Sequence, residues 1–402
     1  MRASVAVAMS GGVDSSVACL LLKRKGFDLV GLTMKLLPDG AVPDGANRAP
    51  CCTLEMAEDA RRICSEMGIP HYTVNLVEEF EQAVVEPFTA AYSAGRTPNP
   101  CLACNKAMKF GYLLQRAREI GASYVATGHY ARAGKMVEGE WTDNCDLAKA
   151  QDPAALPGRA LLLRGVDSSK DQSYALYSLT QDELSHAMFP LGGLTKKEVR
   201  RIAAEAGLVT AEKPESQEIC FIPGSYREFL ESRGIENRPG AIVDTSGKVV
   251  GRHLGIAFYT VGQRRGLGLA GGKPLYVVDL DVANNLVVVG TKQEAHSSGC
   301  FVEELNLIAV PSLDEPVTGT CMVRYRGKES LSIMSRDRGD SAGEVANVGD
   351  SPSGTASVGD STGGTARIDF QSPQFAVTPG QAAVFYQGEQ VFGGGVIASR
   401  LP

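Results

Sequence analysis

Ser4-Val5-Ala6-Val7-Ala8-Met9-Ser10-Gly11-Gly12-Val13-Asp14-Ser15-Ser16 sets a short apolar run against a Ser-Gly-Gly-Val-Asp-Ser turn, and residues 17–22 resume as an apolar segment. Such a turn between a buried strand and a helix is a pyrophosphate cradle. Gly11 and Gly12 let the backbone turn tightly and approach an anion with no Cβ in the way. The helix that follows offers its free N–H groups and positive dipole end to that anion. Ser10, Ser15 and Ser16 add hydroxyl donors, and Asp14 places a carboxylate where it can hold Mg²⁺ or fix the turn. No Gly-Lys-Ser/Thr follows, so the loop is not of the kinase type. An ordinary glycine-rich turn is the plain alternative, but the order and flanks of the residues favour a nucleotide site.

Outward from this turn, the first half of the chain alternates. Strand-like stretches are expected at 4–8, 29–34, 71–75 and 124–127, and helical ones at 15–25, 54–67, 77–94, 106–120, 171–177 and 196–206. Alternation of this kind predicts an α/β fold, a parallel sheet covered by helices. Ligands in such sheets sit at the carboxyl ends of strands, which is where the 10–15 loop, Met34 and Gly128 fall. Residues 134–160 are polar and proline-containing and read as a surface insertion. Beyond about residue 215 short apolar runs and turn signals dominate, predicting a small β-rich unit and then a closed β unit from about 300. The expected division is a catalytic domain at 1–215, a central β-rich domain at 216–298 and a C-terminal β-barrel at 299–402.

One segment breaks the pattern. Gly-Asp-Ser recurs every ten residues from 338 to 366. It carries too little apolar surface to offset its ordering entropy and reads as a flexible loop expansion.

The chain of 402 residues is 44% hydrophobic and 21% charged, with a formal net charge of −6. That size exceeds one comfortable core. No apolar run reaches membrane-spanning length, and the immediate entry into a strand leaves no room for a signal peptide, so a cytoplasmic protein is expected. The acidic balance excludes a generally basic surface but not a local basic face, and short clusters occur at 264–265, 324–328 and 336–338.

Ten cysteines in such a protein do not suggest a disulfide framework. Cys101 and Cys104 stand in Thr97-Pro98-Asn99-Pro100-Cys101-Leu102-Ala103-Cys104-Asn105. A helix is expected to start near Asn105, and a thiol just before a helix N-terminus ionises readily. Cys-x-x-Cys is compatible with a redox pair, half a zinc site or part of an iron–sulfur site. No second such pair and no spaced His pair exists, which argues against a self-contained zinc finger. Cys220 lies in Ser216-Gln217-Glu218-Ile219-Cys220-Phe221, a loop entering a strand. Cys19, Cys51, Cys52, Cys64, Cys300 and Cys321 read as structural, and Cys145 as incidental to the insertion.

With these three motifs in this order, the chain resembles the tRNA-specific 2-thiouridylases. Further matches are Ala126-Thr127-Gly128-His129-Tyr130, Lys170-Asp171-Gln172-Ser173-Tyr174, the stretch 259–268, Arg324-Tyr325-Arg326 and Pro379-Gly380-Gln381. The likeness spans nearly the whole chain except 134–160 and 338–366. It implies a Rossmann-like ATP pyrophosphatase domain that adenylates the 2-oxygen of the wobble uridine, after which sulfur displaces AMP. It also implies binding roles. Ala8, Met9, Ser10, Gly11, Gly12, Val13, Asp14, Ser15, Met34 and Gly128 would hold ATP and its Mg²⁺. Asn99, Pro100 and Cys101 would face the target base, with His129 nearby. Lys170, Asp171, Gln172, Tyr325, Arg326 and Gln381 would contact tRNA at its anticodon loop, where unstacked bases can be read.

The implied sulfur source is a persulfide on Cys220, loaded by an upstream sulfur carrier or cysteine desulfurase. Cys104 would release the sulfur, leaving a disulfide with Cys220. Many family members carry Asp where this chain has Cys101. Relatives with the Cys-x-x-Cys form resemble thiolases that hold an iron–sulfur cluster on three cysteines, here Cys101, Cys104 and Cys220. Two readings remain beside these: an amidotransferase-type synthetase, which would need a glutamine-hydrolysing domain, and a non-catalytic ATP- and RNA-binding redox sensor.

Overall fold

The computed structural model describes residues 3–38, 40, 54–150, 156–213, 219–222, 224–269, 273–337 and 363–402. Cys51, Cys52, most of the decapeptide segment and residues 216–218 of the third motif lie outside them.

Strands β1 (Ser4–Ala8), β2 (Asp28–Lys35), β3 (His71–Asn75) and β4 (Tyr124–Ala126) belong to one sheet. Strands β5 (Ala131–Val137), β6 (Glu140–Asp143) and β7 (Leu161–Arg164) leave it, and β8 (Ala187–Met188) returns. The order is β3-β2-β1-β4-β8, and every pairing is parallel. The chain winds outward from β1 to β3, then jumps back to place β4 on the other side of β1. The crevice beyond the carboxyl ends of β1 and β4 is therefore the topological switch point, where doubly wound sheets take their ligands. Apolar cores pack on both faces, one around Val5, Val7, Val17 and Ile63, the other around Ala6, Leu32, Leu113 and Val125.

The predicted strands and helices around the glycine loop are present, with four departures. The helix expected near Asn105 begins five residues earlier and runs 100–119. Asn99 caps it, its side-chain oxygen accepting from Cys101 N at 3.1 Å. Cys101 therefore lies in the first turn and Cys104 directly after it, neither ahead of the helix. The expected 171–177 helix shrinks to a 3-10 turn, Ser173–Leu176. A helix, Tyr226–Ser232, opens the segment read as β-rich, and the capping box Ser225/Glu228 starts it.

The fourth departure is 134–160. Strands β5 to β7 pair in register there, and the helix Asn144–Ala150 packs on them. Cys145 is 2% exposed within the main core. Polar residues at 140–144 masked this, because their bonds are internal: Asn144 Nδ2 donates to Leu184 O and Ala187 O, both at 2.8 Å.

A four-stranded sheet follows, ordered β10 (Val249–His253), β9 (Gly240–Asp244), β12 (Leu286–Gly290), β11 (Tyr276–Asp281). The last six strands are β13 (His296–Leu307), β14 (Val317–Met322), β15 (Ser330–Arg336), β16 (Gly364–Phe375), β17 (Ala382–Gln387) and β18 (Gln390–Leu401). They run β13-β16-β15-β14-β17-β18, and β13–β18 pairing closes the barrel. Closure leaves no free edge.

Candidate active site

The helix Val13–Arg24 grows directly out of the glycine loop. Gly12 is its N-cap and no side chain caps it, so its first N–H groups lack intrahelical partners. The helices starting after Thr180, Thr195 and Ser225 all carry capping boxes. Gly11 has φ +67°, and a Cβ there would collide with the Met56 carbonyl. Within the loop, Ser15 Oγ donates to Gly12 O at 3.1 Å and accepts from Ser10 N at 3.2 Å. Thr33 Oγ1 donates to Met9 O at 2.8 Å, tying the loop to β2.

Asp14 is held from two directions. Tyr130 Oη donates to its Oδ1 at 2.7 Å, and Lys196 Nζ lies 2.8 Å from both oxygens. Sequence reasoning missed Lys196. It opens the helix Lys196–Glu205, 182 residues from its partner, and its motif context carries no nucleotide signal. Gly128, just past β4, packs its backbone on Asp14 and Ser15. A Cβ there would sit 2.7 Å from Asp14 C and 2.8 Å from Ser15 N.

A cavity of about 330 Å³ opens at this switch point. The glycine loop contributes Ala8, Met9, Ser10, Asp14 and Ser15 to its wall, β2 contributes Met34, and Gly128 and His129 follow β4. Cys101 and Cys104 enter from the 100–119 helix, and Cys220 from its own loop. Residues 104 and 220 thus reach one chamber across 116 positions of sequence. Phe221 anchors the Cys220 loop. Its ring meets Phe80 at 5.6 Å and Phe88 at 5.2 Å, both edge-on. Those two rings come from the helical stretch 77–93. Edge-on aromatic pairs of this kind contribute about 1 kcal/mol each beyond burial.

His129 is 6% exposed. Its Nδ1 lies 2.6 Å from Thr127 Oγ1. Burial, and then the Lys109 ammonium, push its imidazole well below the ordinary histidine range, so it is neutral.

The remaining expected residues separate. Gln172 lines the cavity, and its Oε1 accepts from Tyr130 N at 3.0 Å. Asp171 turns inward: it accepts from Gly165 N, Ser173 N and Ser173 Oγ, each at 3.0 Å. It also pairs with Arg164 at 3.4 Å. With its side chain 9% exposed, it shapes the turn. Lys170, Tyr325, Arg326 and Gln381 lie outside the cavity wall. Arg326 stacks over the half-exposed Tyr325 ring at 5.2 Å. Gln381 works from beneath the cysteine loop, its Nε2 donating to Thr97 O at 2.7 Å. Thr97 N donates to Pro379 O at 2.9 Å, and Thr97 Oγ1 reaches Thr260 Oγ1 at 3.2 Å. The barrel and the central sheet therefore both grip the approach to Cys101.

Among the described residues no three His, Cys, Asp or Glu side chains stand close enough to share a metal ion. Cys101, Cys104 and Cys220 as placed do not form the ligand set an iron–sulfur cluster requires. Among the described residues no disulfide joins them.

Comparison with known proteins identifies the family. Residues 3–224 match a family described as "tRNA methyl transferase HUP domain", residues 227–291 its PRC-barrel domain, and residues 350–397 an aminomethyltransferase beta-barrel domain. The tRNA-specific 2-thiouridylase MnmA of Heliobacterium modesticaldum is 44% identical over 404 residues, covering 100% of this chain and 94% of that protein. Its counterpart from Moorella thermoacetica is 45% identical, covering 98% and 99%. A 4-thiouridine synthetase solved with RNA and bound ATP aligns at 18% identity over 57% of this chain and 50% of its own, with a TM-score of 0.31. Identity of this order, sustained from end to end, places the chain in the family of tRNA-specific 2-thiouridylases.

Proposed function

We propose that this protein converts the wobble uridine of tRNA to 2-thiouridine at the expense of ATP, with sulfur carried on Cys220. The carrying observation is the single chamber at the switch point, where the glycine loop, His129, Cys104 and Cys220 share one wall. The resemblance supplies the substrate, and the chamber supplies a geometry in which its steps can follow one another. Ala8, Met9, Ser10, Gly11, Gly12, Val13, Asp14, Ser15, Met34 and Gly128 bind ATP. Asp14 is the one carboxylate among the described lining residues, so it is the residue that would hold magnesium accompanying the triphosphate, which would screen the phosphate charge.

The uridine 2-oxygen attacks the α-phosphorus. The bond to pyrophosphate breaks, its electron pair leaves with pyrophosphate, and the base gives up its N3 proton. The terminal sulfur of a Cys220 persulfide then adds to C2, and AMP departs with the C2–O electron pair. Cys104 thiolate attacks Cys220 Sγ. The S–S bond breaks, sulfur stays on C2, and a Cys104–Cys220 disulfide is left for an external thiol to reduce. An upstream sulfur carrier or cysteine desulfurase loads Cys220. Asn99, Pro100, Cys101 and Gln172 flank the extruded base, since a base must leave its stack before such chemistry. Lys170, Tyr325 and Arg326 meet the tRNA outside the chamber. The three functional units are 1–215, 216–298 and 299–402, and the setting is the cytoplasm.

The test is nucleoside mass spectrometry of tRNA from a deletion strain complemented with wild type, Cys220→Ser or Cys104→Ser. Wild type restores 2-thiouridine and neither variant does. Restoration by Cys220→Ser would refute sulfur carriage on that residue. Anaerobically purified protein with stoichiometric iron and acid-labile sulfide would replace the persulfide with a cluster.

A further inference from the structure

The chamber must hold a triphosphate, an adenylated base and a departing AMP, all anionic. Among its described lining residues one side chain is a lysine or arginine: Lys109. It lies five residues beyond Cys104. In an α-helix that separation turns two side chains about 140° apart. Here Cys104–Tyr112 is a nine-residue π-helical stretch. Hydrogen bonding from i to i+5 winds the fifth residue closer to the first, and both Cys104 and Lys109 line the same cavity.

The ammonium is held in place. Lys109 Nζ donates to Asn105 Oδ1 at 2.9 Å. The Asn105 amide is oriented by its own bond from Nδ2 to Ala175 O at 2.9 Å. On the other side, Nζ lies 3.5 Å from His129 Nε2. The neutral imidazole accepts there, and its Nδ1–H points to Thr127 Oγ1. An ammonium has three donors, so one remains after these two. His129 adds no positive charge, and Lys196, the other nearby cation, is spent on Asp14 outside the lining.

We propose that Lys109 is the cation that compensates the α-phosphate: it receives the negative charge that accumulates on the phosphoryl oxygen as sulfur adds to C2 and the C2–O bond breaks. The inference rests on the thiolation reading. It assigns no proton transfer to Lys109; the electron pair of the broken bond stays on AMP, and the ammonium stabilises it electrostatically. A preorganised donor of this kind in a water-poor site is commonly worth about 10²–10³ in rate.

The experiment is single-turnover thiolation of tRNA by persulfide-loaded protein, comparing wild type, Lys109→Met and Lys109→Arg, with ATP varied to separate KM from kcat. Circular dichroism and thermal unfolding confirm that each variant is folded. Lys109→Met is expected to lose about 10²-fold or more in the rate at saturating ATP, and Lys109→Arg to recover at least tenfold over Met because the charge returns. A methionine variant within threefold of wild type overturns the inference. So does an arginine variant as slow as the methionine one, since a merely structural role would then explain both. Wild-type protein that forms no 2-thiouridine refutes the functional reading itself, whatever the variants do.

Discussion

Replacing Gly128 by alanine tests whether the two strand ends must touch. The added Cβ would lie 2.7 Å from Asp14 C, 2.8 Å from Ser15 N and 2.9 Å from Asp14 Cβ. Ordinary contact between such atoms is about 3.5–4.0 Å. The obstructing atoms are backbone of the loop and helix start, so no side-chain rotation relieves them. The end of β4 and the glycine loop must separate by roughly 1 Å. Overpacking of this size costs about 1–3 kcal/mol in stability, which a protein of this length survives. The reaction is less forgiving, because roughly 1 Å of misplacement costs about 10²-fold in rate. The assay is tRNA-dependent pyrophosphate release as a function of ATP. Gly193→Ala is the control, since nothing lies within 4 Å of its Cβ position and its φ is ordinary. Pyrophosphate release by Gly128→Ala within twofold of the control would show that the contact is incidental and that the chamber tolerates a wider mouth.

Gln381→Ala removes the side-chain bond to Thr97 O, worth about 1 kcal/mol. Amide exchange at 96–101 should quicken severalfold, while the barrel strands stay protected; unchanged exchange would mean the loop is held by the other contacts alone. Far from the chamber, His186 and Asp182 make a pH-dependent pair. The bond from His186, then Arg118, holds Asp182 down to about 2, and Asp182 in turn raises His186 above 6.5. The carboxylate's contribution is present above its ordinary value of 3.8 and is lost as pH falls through about 2. The histidine's contribution is full below 6.5 and is lost as pH rises through its raised value. NMR titration should place His186 above 6.5 in wild type and return it toward that value in Asp182→Asn. No change on that substitution would remove the pairing.

Much of the fold around the glycine loop was legible because local signals and tertiary structure agree. The apolar run at 4–8 and the glycines after it demand a strand and a turn wherever they occur. The 134–160 hairpin was opaque for the opposite reason. Its polar groups are satisfied by partners distant in sequence, such as Leu184 and Ala187 for Asn144, and no window of sequence displays that. Lys196 and Lys109 escaped likewise. One meets Asp14 across 182 residues; the other needs a helical irregularity that composition does not announce. Asp171 shows the same limit: the motif displays its charge but not the bonds it accepts from Gly165 and Ser173.

The grip on Thr97 has a consequence for how the chain can be divided. Its amide, carbonyl and hydroxyl are each claimed by a segment beyond residue 259: Pro379, Gln381 and Thr260. A fragment trimmed to the nucleotide-binding half would keep its sheet and glycine turn but lose all three tethers on the strap leading into Cys101. Such a truncation would leave the approach to Cys101 untied, while Phe80 and Phe88 still hold Phe221 beside Cys220. The distal modules thus brace the strap from afar, and cutting them away would loosen the lead into Cys101.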